Sequence, residues 1–524
     1  MTRPWWHQGV LYQIYPRSFQ DSNGDGIGDL PGIEARLDEL VALGVDAIWI
    51  SPIFTSPMAD FGYDVADYTG VDPRFGTMAD FDRLLAAAHA RGLKLLLDFV
   101  PNHSSDAHPW FQESRASRDN PKRDWYLWRD PAPGGGVPNN WMSYFGGPAW
   151  EWDEATGQYY YHAFLKQQPD LNWRNPDTAR AMLDAMRFWF EKGVDGFRID
   201  VLWLVIKDPE FPDNPVNPAW HVGMQDLDRV LPRHSADQPG VRDVVHAMRD
   251  VADETGALLI GEIYLPIDRL VAYYGEDNRG VQLPFNFLLL DTPWDASAVR
   301  HAISEYEAAL PPGGWPNWVL GNHDKPRVAA RVGEAQARVA AMLLLTLRGT
   351  PTLYQGDELG LAGAPVPPDR IRDPQKLREP TAAFNRDEAR LPMPWDGSSN
   401  GGFTTGEPWL PLQPDIATRN VAAQRDVAGS MWTLHRDLLA LRRAHDALTL
   451  GSIELLAAAD DVIAFVREHA GERVYVALNM SGGERPLHAP DWATRVLLST
   501  LDAPAGVPDR LRADEGLVLG AARD

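Results

Sequence analysis

The chain contains no cysteine, which excludes disulfide cross-links, thiolate metal sites and thiol nucleophiles. It also lacks any run of about 18 apolar residues of the kind that spans a bilayer. Residues 1–9, MTRPWWHQG, do not carry the apolar stretch of a secretory signal, and the protein is expected to be soluble and cytoplasmic. Positive charge is in short supply. Against 73 Asp and Glu there are 49 Lys and Arg, and the formal net charge of -24 repels phosphate backbones at long range, which argues against a nucleic-acid partner. Neither a basic stripe nor an internal repeat is present. What the chain does have is size: 524 residues at 44% hydrophobic content suffice for a large core and for more than one domain.

Apolar runs closed by turn signals recur along the sequence, with amphipathic stretches between them. VLYQIY at Val10, VDAIWIS at Val45, LKLLLDFV at Leu93, GFRID at Gly196, LLIGE at Leu258, VQLPFNF at Val281, WVLGNHD at Trp318 and TLYQGDE at Thr352 make eight candidate strands. Between the first two, Ile33, Leu37, Leu40 and Val41 share a helical face. Thr77 with Asp80 reads as a capping box for a helix that Gly92 can close. Eight strands alternating with helices predict a closed α/β fold, the parallel (β/α)8 TIM barrel. An open doubly wound sheet is the alternative, but no Gly-rich phosphate turn follows the first strand. Residues 103–170 break the alternation: they are rich in Trp, Tyr, Pro and Gly without helical period, and read as an irregular subdomain inserted after strand three. From about residue 451, short alternating stretches (VIAFVRE, RVYVALNMS, RVLLST) predict a carboxy-terminal antiparallel β domain. The barrel is thus expected to occupy residues 1–102 and 171–450.

Three of the apolar runs end in an acid: GVDGFRID in Asp200, LLIGE in Glu262 and WVLGNHD in Asp324. In a barrel these lie at the carboxyl ends of strands four, five and seven, on one mouth. Glycosidic bond chemistry needs such a cluster, because the sugar becomes an oxocarbenium-like cation while the leaving oxygen requires a proton. One carboxylate must be ionised and one carboxyl protonated, and a separation of roughly 5 to 5.5 Å lets the ionised one attack with retention of configuration.

DFVPNHSS at Asp98, QPDLNW at Gln168, GFRID, GEIY at Gly261, NHDKPR at Asn322 and RDEARLPMPW at Arg386, with YQIYPRSFQDSNGDGIGDL near the start, together resemble the α-glucosidases of the α-amylase superfamily, glycoside hydrolase family 13, close to the oligo-1,6-glucosidase branch. The resemblance covers essentially the whole chain. It implies Asp200 as nucleophile, Glu262 as proton donor and then general base, and Asp324 as the acid that stabilises the distorted sugar. Arg198 has the same strand parity as Asp200 and is expected to hold that carboxylate ionised. By the same resemblance His103 and His323 donate hydrogen bonds to sugar hydroxyls, Asp64 and Arg390 clamp the non-reducing end, and Val201 matches the α-1,6-preferring enzymes. The substrates implied are isomaltose, maltose, short oligosaccharides and sucrose, processed by a monomer or small homo-oligomer. A glucosyltransferase or sucrose isomerase is the alternative within enzymes, and a catalytically silent binding subunit the alternative outside them.

The segment DSNGDGIGD has calcium-loop spacing: side chains of Asp21, Asn23 and Asp25, the Ile27 carbonyl and Asp29 are candidate ligands, with Gly26 at the turn. Gly32 stands where a twelve-residue loop would carry a bidentate Glu, so weak Ca2+ or substituted Mg2+ is expected, in a structural role.

Overall fold

The computed structural model describes residues 4–382 and 384–522. Eight parallel strands close into a barrel: β1 (Leu11–Ile14), β2 (Ala47–Ile50), β3 (Lys94–Phe99), β4 (Gly196–Ile199), β5 (Leu258–Glu262), β6 (Leu283–Asn286), β7 (Asn317–Val319) and β8 (Thr350–Tyr354). They pair in sequence order and β8 returns to β1, so each expected apolar run contributes one stave. The strands read as continuous apolar runs because helices cover their outer faces while the barrel interior fills with side chains.

Strand parity then sets the mouth. On β5, Leu258, Ile260 and Glu262 share one direction; on β3, Leu96 and Asp98 do; on β4, Gly196 and Arg198 do, and Asp200 follows. Their lower members join Leu11, Ala47, Trp49, Leu283, Phe285 and Val319 in an apolar plug inside the barrel. The upper members of the same columns are charged, and the register sets Asp98 directly beside Arg198. A packed apolar floor therefore carries a charged layer on top.

Helix α1 (Leu30–Leu43) starts at Asp29, whose carboxylate caps the Gly32 N–H, and stops at Gly44 with φ 100°. Ile33, Leu37 and Leu40 are buried as expected, but Val41 is 43% exposed. Consecutive helical residues point about 100° apart, so Val41 turns away from the stripe, which Leu30 and Leu43 complete instead. Helix α2 (Met78–Ala90) opens with the capping box of Thr77 and Asp80. Helix α3 (Pro176–Glu191) packs against it through Trp189.

Between β3 and β4 the chain forms a helix, Pro109–Ala116, and a small antiparallel sheet of Trp128–Arg129, Trp150–Asp153 and Gln158–Tyr161. This insertion is more regular than its composition suggests. Phe111 stacks on Trp128 at 5.7 Å and meets Tyr160 edge-on at 5.1 Å, so rings from the helix and two of the three strands supply a core that no local period announces. After the barrel, a five-stranded antiparallel sheet runs in the order Ser452–Leu456, Val462–His469, Glu472–Asn479, Gly516–Gly520, Arg495–Ser499. Among the described residues no helix is long and apolar enough to cross a membrane.

Trp189 ties two helices to the hairpin that follows β2: it stacks on Phe54 at 5.1 Å, meets Phe81 at 5.0 Å and donates its indole N–H to the Tyr68 carbonyl at 2.7 Å. Trp189→Ala is expected to cost about 3–5 kcal/mol. The loss should appear as a clearly lower melting temperature, with Trp189→Phe in between; an unshifted Trp189→Ala melt would contradict this packing role.

Candidate active site

The acids foreseen at three strand ends converge on one cavity of about 730 Å³ at the carboxyl mouth of the barrel, where Asp200, Glu262 and Asp324 all line the wall. Arg198, almost wholly buried, sits beneath them. Its Nη1 donates to Asp200 Oδ1 at 2.7 Å and to Asp98 at 2.9 Å, and its Nη2 reaches Glu262 Oε2 at 2.8 Å. The guanidinium thus serves two carboxylates of the pair equally, together with a third, Asp98, that lies below. The sequence reading assigned it to Asp200 alone.

Three carboxylates around one guanidinium leave an excess of negative charge in a buried place. Burial raises both Asp200 and Glu262 above the ordinary carboxyl range, Arg198 opposes the rise, Glu262 and Asp98 add to it at Asp200, and Asp324 adds to it at Glu262. Because both carboxyls face one cation and are both pushed upward, the titration of either depends on the charge of the other. On Glu262, Oε2 is occupied by Arg198 and by the Val201 N–H at 2.8 Å, so a proton on this carboxyl belongs on Oε1.

Val201 adopts φ 36°, ψ 45°, a left-handed conformation that a β-branched residue rarely takes. That turn redirects the backbone immediately after Asp200 and aims the Val201 N–H at Glu262. Strain is stored at the junction between the two acids.

Asp324 is treated differently. Burial would raise its pKa, but His323 and the guanidinium groups of Arg390 and Arg386 outweigh it and hold the carboxyl well below the usual range. Arg390 Nη2 lies 2.7 Å and Arg386 Nη1 3.4 Å from Asp324 Oδ1. Burial lowers His323 to about 3, so its ring is neutral at any working pH. Gln13 Nε2 lies 2.7 Å from Nδ1, which leaves the proton on Nε2, facing the Tyr63 phenol at 2.7 Å and Asp324 at 3.1 Å. His103, lowered to about 4 by burial, lines the cavity beside Gln168.

Asp64 and Arg390 do not form the expected clamp, and neither lines the cavity. Asp64 is fully buried and spends its oxygens on the N–H groups of Ala59 and Asp60, at 2.8 and 2.9 Å, and burial pushes it up to about 6. Arg390 is buried too, holding the His323 carbonyl at 2.9 Å as well as Asp324. The acid and base that meet in the cavity are Asp60 and Arg386, 2.8 Å apart, with Arg386 also held by Asp373 and lying over the Phe145 ring at 4.8 Å. In each case the residue four positions away carries the same charge, and only the folded loop decides which of the two faces inward. Asp98 is different, because it ends the run LKLLLD and the rule that found the other acids also finds it. Tyr63, which bridges His323 and Asp98, had no such signal.

In the first loop the candidate cation ligands turn toward their own backbone. Asp21 accepts from the N–H groups of Asn23, Gly24 and Gly26 and from the Thr404 hydroxyl, Asn23 from Asp25, and Asp25 from Ile27. Asp29 caps Gly32 and accepts from Ser22. Among the described residues no three His, Asp or Glu side chains gather closely enough to hold a metal ion.

Paired buried carboxyls, a guanidinium between them and an ionised third acid, all at the carboxyl ends of barrel strands, define an acid–base enzyme. The sequence matches the family model "Alpha amylase, catalytic domain" over residues 13–451. It is 42% identical over 509 residues to a probable alpha-glucosidase of Rhizobium meliloti (strain 1021), covering 91% of this chain and 90% of that one. Identity to an oligo-1,6-glucosidase of Parageobacillus thermoglucosidasius is 39% over 530 residues, 94% and 93% of the two chains. The fold superposes on the crystal structure of an alpha-glucosyl transfer enzyme, XgtA, with a TM-score of 0.94 at 43% identity, over 99% of this chain and 100% of that one. The chain belongs to the α-amylase family, glycoside hydrolase family 13, and is a glycoside hydrolase.

Asp98 adds a negative charge beneath the pair, and the sign of its effect can be tested. In Asp98→Asn the Asp200 and Glu262 carboxyls should both lose their protons more easily, so the kcat/KM against pH profile should move to lower pH on both limbs. A profile that keeps its position while only its height changes would speak against this coupling.

Proposed function

We propose that the protein is a retaining, exo-acting α-glucosidase that hydrolyses terminal α-glucosidic bonds, α-1,6 and/or α-1,4, of short oligosaccharides such as isomaltose and maltose. The observation that carries this reading is that Asp200 and Glu262 bind neighbouring nitrogens of one guanidinium, at 2.7 and 2.8 Å. Carboxyls held side by side on one cation fit the short separation of a retaining pair, roughly 5 to 5.5 Å, better than the roughly 6.5–9.5 Å that leaves room for an inverting enzyme's water.

In the first step Asp200, ionised, attacks the anomeric carbon, and Glu262 gives its Oε1 proton to the departing oxygen. A covalent glucosyl-enzyme results. Glu262, now a carboxylate, takes a proton from water as that water displaces Asp200. Arg198 faces both carboxyls throughout, so it balances whichever of them carries the charge. Asp324, kept ionised by Arg390 and Arg386, accepts from the sugar's hydroxyls, and neutral His323 and His103 donate. Asp60 and Arg386 close the far end of the cavity, which supports removal of one terminal glucose. Val201 supports action on α-1,6 bonds, through its likeness to the α-1,6-preferring branch.

A second reading, glucosyl transfer, is favoured by the likeness to the alpha-glucosyl transfer enzyme. The same glucosyl-enzyme is then released by a sugar hydroxyl in place of water.

The deciding experiment incubates the enzyme with maltose, isomaltose and sucrose and follows products by proton NMR. Early release of α-glucose from isomaltose is expected. β-Glucose as first product would reject retention, and isomaltose left intact while maltose is consumed would reject the role of Val201. Asp200→Asn should lose about 10⁴-fold or more in kcat while melting like the parent.

A structural Ca2+, or Mg2+, at Asp21, Asn23, Asp25, the Ile27 carbonyl and Asp29 is proposed on the ligand spacing, since a carboxylate that accepts an N–H keeps lone pairs for a cation. Chelation should lower the melting temperature by several degrees and Ca2+ should restore it. An unchanged melt would dismiss the ion.

A further inference from the structure

Behind the cavity wall, one buried ion pair fastens the inserted segment to the barrel. The first and last residues of the insertion, His103 and Asp170, form an antiparallel bridge, with the Ser104 N–H on the Pro169 carbonyl and the Leu171 N–H on the Asn102 carbonyl. Lys207 reaches this junction from the loop that follows Asp200. Its ammonium group is bonded to the Asp170 carboxylate and lies 2.6 Å from Asn102 Oδ1. Lys207, Asp170 and Asn102 are all buried, and none of them lines the cavity.

The chemistry of the pair fixes the Asn102 amide. An ammonium group only donates and a carboxylate only accepts, so the amide oxygen must face Lys207 and the amide nitrogen Asp170, whose Oδ2 lies 2.8 Å away. The other hydrogen of that nitrogen is left for His103 Nδ1, at 3.1 Å. Burial lowers His103 to about 4, so its neutral ring carries a single proton, and Nδ1, which faces a donor, is not where that proton sits. On Nε2 it meets the Tyr63 carbonyl at 3.1 Å. The Gln168 amide nitrogen is equally near Nε2, turned there by the Leu165 N–H on Gln168 Oε1. A ring protonated on Nδ1 would accept from Gln168 but would lose the bonds to Asn102 and Tyr63, and two bonds outweigh one. His103 lines the cavity, so the tautomer decides whether Nε2 meets a sugar hydroxyl as donor or as acceptor.

We propose that Lys207 and Asp170 are positioning residues: by fixing the Asn102 amide they hold His103 in its Nε2–H form, so that the ring donates to the sugar and does not accept from it. They act through Asn102 and His103 and touch no substrate. The proposal rests on the α-glucosidase reading, in which His103 donates to a sugar hydroxyl, and extends it to the residues that make the ring a donor.

The test reads the ring nitrogens of enzyme labelled with ¹⁵N at histidine by long-range proton–nitrogen NMR near neutral pH, the His103 signals being those missing from His103→Gln. Wild type should show a bare Nδ1 and a protonated Nε2. Asn102→Asp sets an oxygen against Nδ1 whichever way the side chain turns, and should draw the proton to Nδ1. Lys207→Met combined with Asp170→Asn removes both charges together, frees the Asn102 amide and should give a mixture of the two forms. In both variants kcat/KM for 4-nitrophenyl α-glucoside should fall by about ten- to a hundredfold together with the moved proton, whereas a merely structural role would lower activity and leave the proton on Nε2. A wild-type ring protonated on Nδ1, variants that keep the proton on Nε2, or a moved proton with unchanged kcat/KM would overturn the proposal and leave the glucosidase reading intact. The wild-type spectrum decides the tautomer even where a variant fails to fold. If the wild type cleaves no α-glucoside, the glucosidase reading fails and this proposal falls with it.

Discussion

A single guanidinium, Arg198, organises the mouth of this barrel. It pairs with Asp98 beneath it and with Asp200 and Glu262 above, all in a region shut off from solvent. An isolated ion in such a place would be prohibitively costly, and so would three carboxylates with no counter-charge. Arg198 makes the cluster tolerable without neutralising it. Burial raises the two upper carboxyls, and the residual negative charge of their neighbours adds to a rise that Arg198 opposes.

The same arrangement separates the roles of the acids by environment. Asp200 and Glu262 share one cation with a third carboxylate, and their pKa values rise with burial. Asp324 faces two guanidinium groups, those of Arg390 and Arg386, and stays ionised. Similar side chains therefore take opposite protonation behaviour within one cavity, and the difference is the ratio of cations to anions around each. Val201 connects the halves of the pair. Its left-handed backbone delivers an N–H to Glu262 from the residue next to Asp200, so the geometry of one acid is tied to that of the other.

Around this centre the loops divide labour. Asp64 and Arg390, although they carry the charges expected of a substrate clamp, are spent on the frame: one shapes the turn that presents Asp60, the other fixes Asp324 and the His323 carbonyl. Asp60 and Arg386 are left to face the cavity.

The barrel, its eight strands and the acids at the ends of β4, β5 and β7 were all legible from amino-acid order, because a buried strand must be an apolar run and a charge at its tip has nowhere to go but the mouth. Asp98 obeyed the same rule. Strand parity also placed Arg198 on the side of Asp200, though not its equal share in Glu262 and Asp98, since those contacts come from neighbouring strands whose register is a tertiary matter. Loops obey no such period. Between Asp60 and Asp64, or Arg386 and Arg390, nothing local distinguishes the residue that faces the cavity from the one that supports it, and the choice is made only when the loop packs against the rest of the molecule. The upward shift of Asp200 and Glu262, likewise, depends on burial and on distances across the barrel, which exist only once the chain has closed.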